Sequence, residues 1–213
     1  TLSHIYEPVD VPTQAKINKF LPAYNPIYKL NPSKPVTMGP IGFPNSFMHF
    51  KEQQQRAMIN AFAVIQKENN NFKKIFGRGY GNGLLELYKM DDAQYAIVCM
   101  GTICGTARYV VDKMRKRGYS VGLIKVRAFR PFPEHSLFEA TKNLKGIAVL
   151  DRNISLGQHG ALYNDLKAAL KNSKVLINSF IVGLGGRDVT TCHIEEALLR
   201  TIKSKKPVVE WLY

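Results

Sequence analysis

The sequence predicts an open α/β domain: a five-stranded, mainly parallel sheet with helices on both faces, preceded by a proline-rich arm and a long helix. After residue 84, short β-branched runs alternate with helical segments, which is typical of a mainly parallel sheet covered on both faces. Eight of the eleven prolines fall in the first 44 residues. We therefore predict three parts: an extended arm (1–46), an amphipathic helix with a glycine-rich turn (47–83), and the α/β domain (84–213).

The composition is that of a globular protein. The 213 residues (24.0 kDa) are 45% hydrophobic, and the mean hydropathy is −0.17. No apolar run approaches the ~18 to 20 residues that span a bilayer, and the first residues do not resemble an export signal. We expect a cytoplasmic chain without a membrane segment. Because it starts at Thr1 rather than methionine, we expect a processed chain or an excised fragment.

The net charge of +14 favours an anionic cofactor, nucleic acid or an acidic protein as a partner. The charge is spread along the chain, and no helix has the basic, aromatic-interleaved face of a nucleic-acid binder. We therefore expect no nucleic-acid partner, and a non-catalytic basic binding module is kept as an alternative.

The arm should be extended, because proline at this density disfavours both helix and sheet. Its aromatic residues need a surface that buries them, and this surface can belong to this chain or to a neighbour. These residues are Tyr6, Phe20, Tyr24 and Tyr28.

The segment 47–75 has the apolar periodicity of one long amphipathic helix. Its apolar face contains Phe47, Phe50, Met58, Ala61, Phe62 and Ile65. The glycine run 77–83 follows. A dinucleotide fingerprint requires strand, glycines and helix in that order, whereas here a helix precedes the glycines and a strand follows them. We interpret the run as a turn.

Five strands and four helices are predicted in the α/β domain. The strands are 85–89, 95–100, 121–127, 146–151 and 175–182, and the helices are 105–117, 134–143, 160–171 and 191–203. Ligands meet such sheets at the carboxyl ends of the strands, so the loops after the strands are the candidate functional segments.

Two of these loops can approach an anion. The loop 100–106 offers backbone N–H groups at a helix start, although tight turn packing is the favoured interpretation. The loop 129–134 contains Arg130, whose guanidinium can clamp a carboxylate or phosphate, with a structural ion pair as an equal alternative.

Two further loops are rich in polar residues or glycine. The loop 151–160 contains Ser155 and His159, but no elbow motif pairs a nucleophile with a base, so we interpret it as a polar loop that shapes an interface. The loop 183–191 has glycines and Arg187 but not the complete dinucleotide motif. We expect Thr190 or Thr191 to cap the last helix together with Glu195.

We interpret the three cysteines as reduced thiols. Cys99, Cys104 and Cys192 lack the paired spacing of a zinc or iron–sulfur site. Cys99 and Cys104 stand five residues apart across a strand-to-helix turn, so a redox pair is an alternative, but buried small residues are the better interpretation.

Several segments together resemble one family. The segments QQQRAM, FGRGYG, RPFPEHSL, VLDRNISLGQHGALYNDLKAAL and FIVGLGGRDVT, and the arm segments EPVDVPTQAKINKFLPAYNP and KPVTMGP, are similar to the C-terminal part (domain II) of the alpha subunit of pyruvate:ferredoxin or flavodoxin oxidoreductase, a 2-oxoacid:acceptor oxidoreductase. The resemblance covers about residues 7–200. His159 departs from it, because a small residue is expected there.

The resemblance implies a transketolase C-terminal-like fold and a part of an enzyme that is not active alone. The parent reaction converts pyruvate, coenzyme A and oxidised carrier to acetyl-CoA, CO2 and reduced carrier. Thiamine diphosphate, magnesium and iron–sulfur clusters belong to other domains or subunits (beta, gamma and delta). We expect no catalytic residue and no metal ligand in this chain, which would serve assembly and the active-site cleft. Arg130 and Arg187 are the expected anion-binding residues, for coenzyme A phosphates or for a salt bridge to another domain.

Other uses of the same fold remain open. They are 2-oxoglutarate oxidoreductase, 2-oxoacid dehydrogenase and transketolase. The RPFP element favours the pyruvate enzyme over the 2-oxoglutarate enzyme, and the GLGGRDVT segment and the arm disfavour the other two.

Overall fold

The computed structural model describes residues 9–213, which form two compact units. One unit extends up to Gly79 and the other begins at Tyr80. Tyr6 and Pro8 of the predicted arm lie outside the described residues. The three-part division predicted from the sequence stays a prediction, and each unit is described by itself below.

The first unit contains two helices, α1 (Gln14–Phe20) and α2 (Pro44–Phe76). Helix α1 lies within the arm, so the expectation that the arm contains no helix was wrong. Its seven residues, about two turns, fit into a stretch without proline between Pro12 and Pro22. Helix α2 begins at Pro44, where a proline costs no hydrogen bond, and ends at Gly77, whose φ of 75° makes a left-handed cap.

An aromatic cluster holds α1 against α2. The ring of Phe20 packs edge-on against Phe72 and Phe76, with centroids 5.6 and 5.5 Å apart. At the end of α2, Arg78 Nη1 donates to Asp10 Oδ2 over 2.8 Å. These contacts fix the start of the described arm to the C-terminal end of α2.

Helix α2 has no buried residue along its 33 residues. The arm and α2 also carry large apolar side chains that are more than half exposed; among them are Tyr24 (90%), Ile27 (91%), Leu30 (88%), Ile41 (77%) and Met48 (79%). The predicted apolar face is covered only in part within the described residues: Phe47 and Met58 are exposed, and the other four residues of the face are half-buried.

The second unit is a six-stranded sheet with four helices. Its strands are β1 (Leu85–Tyr88), β2 (Tyr95–Cys99), β3 (Val121–Val126), β4 (Gly146–Asp151), β5 (Leu176–Ile181) and β6 (Val209–Trp211), and its helices are α3 (Ile103–Lys116), α4 (Glu134–Thr141), α5 (Ala161–Ala169) and α6 (Thr191–Lys203). The strand order is β1-β3-β2-β4-β5-β6. Of these strand pairings, only that of β1 with β3 is antiparallel.

The open, mainly parallel α/β fold is therefore confirmed, but the number of strands was wrong. The sixth strand, β6, is three residues long and joins the edge of the sheet beside β5. The buried Asn178 of β5 secures this edge: its Nδ2 donates to Thr201 Oγ1 (3.2 Å), and its Oδ1 accepts from the Val208 backbone N–H (3.0 Å).

Helices cover both faces of the sheet, as predicted. One face carries Ile97 and Cys99 of β2 and packs against α3 and α6. The other face carries Ala96 and Val98 and packs against α4 and α5. Successive strand residues point to opposite faces, so the near-continuous apolar runs of the central strands supply both cores.

The cap of α6 differs from the prediction. Thr190 is the capping residue, as expected, but its partner is His193: the His193 N–H donates to Thr190 Oγ1 (3.4 Å), and the Thr190 N–H donates to His193 Nδ1 (3.2 Å). Glu195 instead pairs with Lys113 and Arg117 of α3. The reciprocal residue of a capping box stands three positions after the N-cap, which is His193 here, so Glu195 lies too far along α6 to take this role.

Candidate functional site

The strand order creates a crevice between the loops that follow β2 and β4. The chain leaves β2 through α3 towards β3 on one side, and it leaves β4 through α5 towards β5 on the other. The two loops therefore diverge at the carboxyl edge of neighbouring strands, which is where open α/β sheets bind ligands. We call this edge, with the loops 100–102, 152–160 and 183–187, the switch-point edge.

Arg152 connects three loops of this edge. It follows β4 directly and is exposed. Its Nη1 lies 3.4 Å from Thr102 Oγ1 in the loop after β2, a long hydrogen bond. Its Nε lies 3.0 Å from the position that a Cβ on Gly183, after β5, would occupy. No carboxylate within residues 9–213 forms an ion pair with it, so the guanidinium retains donors for an anionic ligand.

Gly183 lets the guanidinium approach the backbone so closely. Its φ is 63°, and an added Cβ would also meet Val189 Cγ2 at 2.7 Å. A side chain at this position would be strained by the backbone angle and by the contact. Gly183 therefore serves close packing around Arg152, whereas Gly185 and Gly186 have no atom within 4 Å of an added Cβ and serve the positive φ angles of the loop.

Arg187 lies at the same edge, at the end of the loop that follows β5. Its guanidinium stands 5.6 Å from the ring centroid of Tyr213. It has no carboxylate partner in the described part of the chain, and it is exposed. Arg187 is thus a second guanidinium that is held by an aromatic ring and leaves its donors available.

Arg130 is in a different situation from Arg187. Its Nη1 donates to Asp165 Oδ2 of α5 and to the Phe129 carbonyl, each over 2.8 Å, and the guanidinium lies 4.3 Å from the Phe129 ring centroid. It follows β3, which is three strand positions from β5, or roughly 14 Å at the usual strand spacing. The structure therefore does not bring the two predicted arginines together.

Arg152 was missed as a candidate because the sequence does not reveal the strand order. The loop 151–160 was recognised as polar, and Arg152 stands in it. Only the pairing of β2 with β4 places that arginine beside Thr102 and makes it central to the edge. The signal available in the sequence was a cation immediately after a fully buried strand.

Asp151, the last residue of β4, anchors the loop 152–160 from inside. Its carboxylate is buried and accepts hydrogen bonds from the backbone N–H groups of Leu162 (3.1 Å) and Tyr163 (3.0 Å) at the start of α5. Burial raises the pKa of Asp151, and these hydrogen bonds oppose the rise only in part. The residue is a helix-capping carboxylate rather than a free acid.

The remaining polar residues of this loop do not form a nucleophile and base pair. Ser155 and His159 are joined through the backbone, where the Ser155 N–H donates to the His159 carbonyl over 3.1 Å. The His159 ring packs edge-on against Tyr163 at 5.0 Å, and its buried Nδ1 has no hydrogen-bond partner among the described residues. His159, where the family resemblance leads us to expect a small residue, is therefore accommodated by packing against the Tyr163 ring.

The loop 100–106 is a tight turn. The N–H groups of Cys104 and Gly105 donate to the carbonyls of Gly101 (3.3 Å) and Thr102 (3.1 Å). These donors at the helix start are thus already engaged within the turn, and the favoured interpretation from the sequence agrees with the structure.

Metal ligands are not gathered in the described part of the chain. Among residues 9–213, no three His, Cys, Asp or Glu side chains are arranged to hold a metal ion. Within the same residues, no helix is long and apolar enough to cross a membrane.

Comparisons with known proteins agree on one family. Residues 93–194 match the family model described as pyruvate:ferredoxin oxidoreductase core domain II. The chain is 42% identical to the pyruvate synthase subunit PorA of Methanocaldococcus jannaschii, over 99% of this chain and 54% of that protein. It is 39% identical to the ketoisovalerate oxidoreductase subunit VorA of Pyrococcus abyssi, over 100% of this chain and 55% of that protein.

A solved structure of 2-oxoglutarate:ferredoxin oxidoreductase from Magnetococcus marinus is also similar, with a TM-score of 0.46 and 16% identity over 68% of this chain and 24% of that chain. The chain spans about half the length of the curated relatives it matches. Residues 93–194, which include the switch-point edge and most of the sheet, match the model of pyruvate:ferredoxin oxidoreductase core domain II, and nearly the whole chain is similar to PorA subunits.

Proposed function

We propose that this chain is part of the alpha subunit of a cytoplasmic pyruvate synthase, which converts pyruvate, coenzyme A and oxidised ferredoxin or flavodoxin to acetyl-CoA, CO2 and reduced carrier. The observation that carries the proposal is the 42% identity to a PorA subunit over 99% of the chain. Thiamine diphosphate, magnesium and the iron–sulfur clusters would be held by other domains or by the beta, gamma and delta subunits. Thiamine diphosphate supplies the decarboxylation chemistry when it is bound there.

The contribution of this chain to the active-site cleft is the switch-point edge. Arg152 and Arg187 are exposed guanidiniums without carboxylate partners among residues 9–213, and both follow neighbouring strands, β4 and β5. Guanidiniums bind phosphate through paired, charge-assisted hydrogen bonds. They would bind coenzyme A phosphates, while Arg130, already paired with Asp165, would hold its loop in place.

The contribution to assembly is the arm together with α2. A 33-residue helix without a buried residue and an arm with exposed Tyr24, Ile27 and Leu30 present apolar surface that is costly to leave in water. The occupant of this surface would be another subunit of the oxidoreductase. Obligate interfaces of this kind are more apolar than ordinary protein surface.

A second candidate function is oxidation of a branched 2-oxoacid. The chain is 39% identical to a ketoisovalerate oxidoreductase subunit over its whole length, nearly as similar as to the PorA subunits. The same cleft and the same assembly would then serve 2-oxoisovalerate, and the chemistry assigned to this chain would not change.

The proposal is tested by expressing the full-length subunit with its partner subunits and following carrier reduction with pyruvate, 2-oxoisovalerate or 2-oxoglutarate, each with coenzyme A. We expect pyruvate to give the highest kcat/KM and the 213-residue chain alone to be inactive. A preference for 2-oxoisovalerate would favour the second candidate. Activity of the isolated chain, or reduction of NAD in place of the protein carrier, would overturn both.

A further inference from the structure

Two thiols meet beneath the turn at the switch-point edge. Cys99 is the last residue of β2 and Cys104 lies in the first turn of α3, and their Sγ atoms are 3.3 Å apart in a thiol–thiol hydrogen bond. Both side chains are buried, with exposed fractions of 0% and 2%. Neither thiol has a role in the function proposed above.

The two thiols are chemically unequal. The hydrogen bond from Cys99 is the main cause that lowers the pKa of Cys104, and the charge of Lys125 adds to it. The same hydrogen bond, with burial, raises the pKa of Cys99. A thiolate is the nucleophile in thiol oxidation, and the N-terminus of a helix favours it. Because Cys104 lies in the first turn of α3, it is the thiol that reacts first, and Cys99 is the one that resolves.

The turn over the pair must open before an oxidant can reach either sulfur, because Cys99 and Cys104 are only 0% and 2% exposed. Gly101 in that turn and Gly105 after it are exposed, and Gly101 has a φ of 69°. A Cβ built on either glycine would meet no atom within 4 Å, so neither glycine is packed against another part of the chain. The turn therefore has open space on its outer side.

We propose that Cys99 and Cys104 form a reversible peroxide-sensitive dithiol, which closes to a disulfide across the turn at the switch-point edge. The Cys104 thiolate attacks one peroxide oxygen, the O–O bond breaks, and the released hydroxide takes up a proton to leave as water. The Cys99 sulfur then attacks the Cys104 sulfur of the sulfenic acid, the S–O bond breaks, and the Cys99 proton leaves with the hydroxide as a second water. Two thiols are oxidised and one peroxide is reduced.

The geometry favours the second step over further oxidation. A disulfide has its sulfurs about 2.0 Å apart, so the gap to close is about 1.3 Å from the observed separation. A resolving thiol already in contact captures a sulfenic acid before a second peroxide arrives. The product is a small ring through residues 99–104, and it would fix the turn whose Thr102 hydroxyl accepts from Arg152.

Peptide mass spectrometry of the full-length subunit in its purified assembly tests the proposal. The native protein is treated with hydrogen peroxide, quenched, unfolded in an alkylating reagent and digested with trypsin. Residues 90–108 form one tryptic peptide with both cysteines, and residues 188–200 form another with the exposed Cys192. We expect the first peptide to lose two hydrogen atoms, to resist alkylation, and to regain two alkylation sites after treatment with dithiothreitol.

A variant identifies the order of the two steps. In Cys99→Ser, the hydroxyl can still donate a hydrogen bond to Cys104 but cannot resolve its sulfenic acid, so dimedone should trap this acid at least about tenfold more than in the wild type. The proposal is overturned if peroxide modifies Cys192 while both cysteines of the first peptide stay alkylatable in the wild type. Sulfinic acid at Cys104 without any disulfide would overturn it equally. The wild-type measurement stands even if the variant does not fold.

Discussion

Gly160 lies directly against the buried carboxylate of Asp151: a Cβ on this glycine would stand 2.2 Å from both Asp151 Cγ and Oδ2. The backbone of Gly160 is in an ordinary region, with φ −62° and ψ 150°, so space rather than backbone conformation demands glycine here. The contact brings the loop 152–160 onto the end of β4 and starts α5.

Gly160→Ala should therefore destabilise the sheet unit by about 2 kcal/mol or more, because Asp151 must leave its place beneath α5. Urea unfolding followed by circular dichroism measures the change. Gly105→Ala is the matched control, since this glycine lies in α3 with open space around it. Gly105→Ala should leave the free energy of unfolding unchanged or raise it by up to about 1 kcal/mol. Equal stability of the two variants would contradict the steric role of Gly160.

The three arginines of the carboxyl edge should differ in their effect on coenzyme A. Arg152→Ala and Arg187→Ala should each raise the KM for coenzyme A about tenfold in the assembled enzyme, which corresponds to one lost charge-assisted contact of about 1.4 kcal/mol. Arg130→Ala should change it much less, because Asp165 and Phe129 already engage that guanidinium.

The same series separates two roles for these arginines. If Arg187→Ala weakens subunit association and leaves the KM for coenzyme A unchanged, the residue serves a salt bridge to another domain. If Arg130→Ala has the largest effect on KM, the assignment of the ligand to Arg152 and Arg187 is wrong. Steady-state kinetics and size-exclusion chromatography of each variant give both readouts.

The arm should bind its partner subunit through its exposed apolar residues. Tyr24→Asp or Ile27→Asp should weaken association of the subunits at least about tenfold, because each variant places a charge in an apolar interface. Asn25→Asp adds the same charge to an exposed polar neighbour and should have a smaller effect. Sedimentation of the mixed subunits measures the difference, and equal effects of all three would indicate general electrostatic repulsion.

Glu195 makes the contact of α3 with α6 sensitive to acid. Hydrogen bonds from Lys113 and then Arg117 lower the pKa of Glu195. A lowered pKa in the folded state stabilises the protein above the unfolded-state pKa of about 4.3, and this contribution is lost as the pH falls through the folded-state pKa. Glu195→Gln should unfold at lower urea concentration near neutral pH and show a shallower decline in stability below about pH 5.

The control for this prediction is Glu196→Gln. Glu196 pairs with Arg200 within α6 and does not connect the two helices in the described structure. Its removal should cost a few tenths of a kcal/mol at most, as for other exposed ion pairs within a helix. If stability depends on pH in the same way in Glu195→Gln and in the wild type, Glu195 is not the group that makes this contact sensitive to acid.

Most of the sheet was predictable from the sequence because its central strands are buried on both faces and read as continuous apolar runs. Strand β6 was not, because it is only three residues long and follows Lys205, Lys206 and Pro207, so its pairing with β5 leaves no periodic pattern in the sequence. Helix α1 was hidden by the prolines on either side of it.

The candidate site was predictable only in part, for a related reason. Arg187 was predicted because its loop has a recognisable glycine pattern, and its role stays a prediction. Arg152 became important only through the pairing of β2 with β4, which sequence periodicity does not encode. Likewise, Cys99 and Cys104 could be placed on a strand and a helix from the sequence, but the 3.3 Å between their sulfurs required the fold.

The length of α2 sets the distance over which this chain can make contacts. Its 33 residues extend about 50 Å, whereas a domain of about 100 residues has a radius of gyration of only about 13 Å. A single compact domain of that size cannot contact both ends of such a helix. In the proposed assembly, a substitution at one end of α2 should therefore loosen the contacts there and leave those at the other end intact.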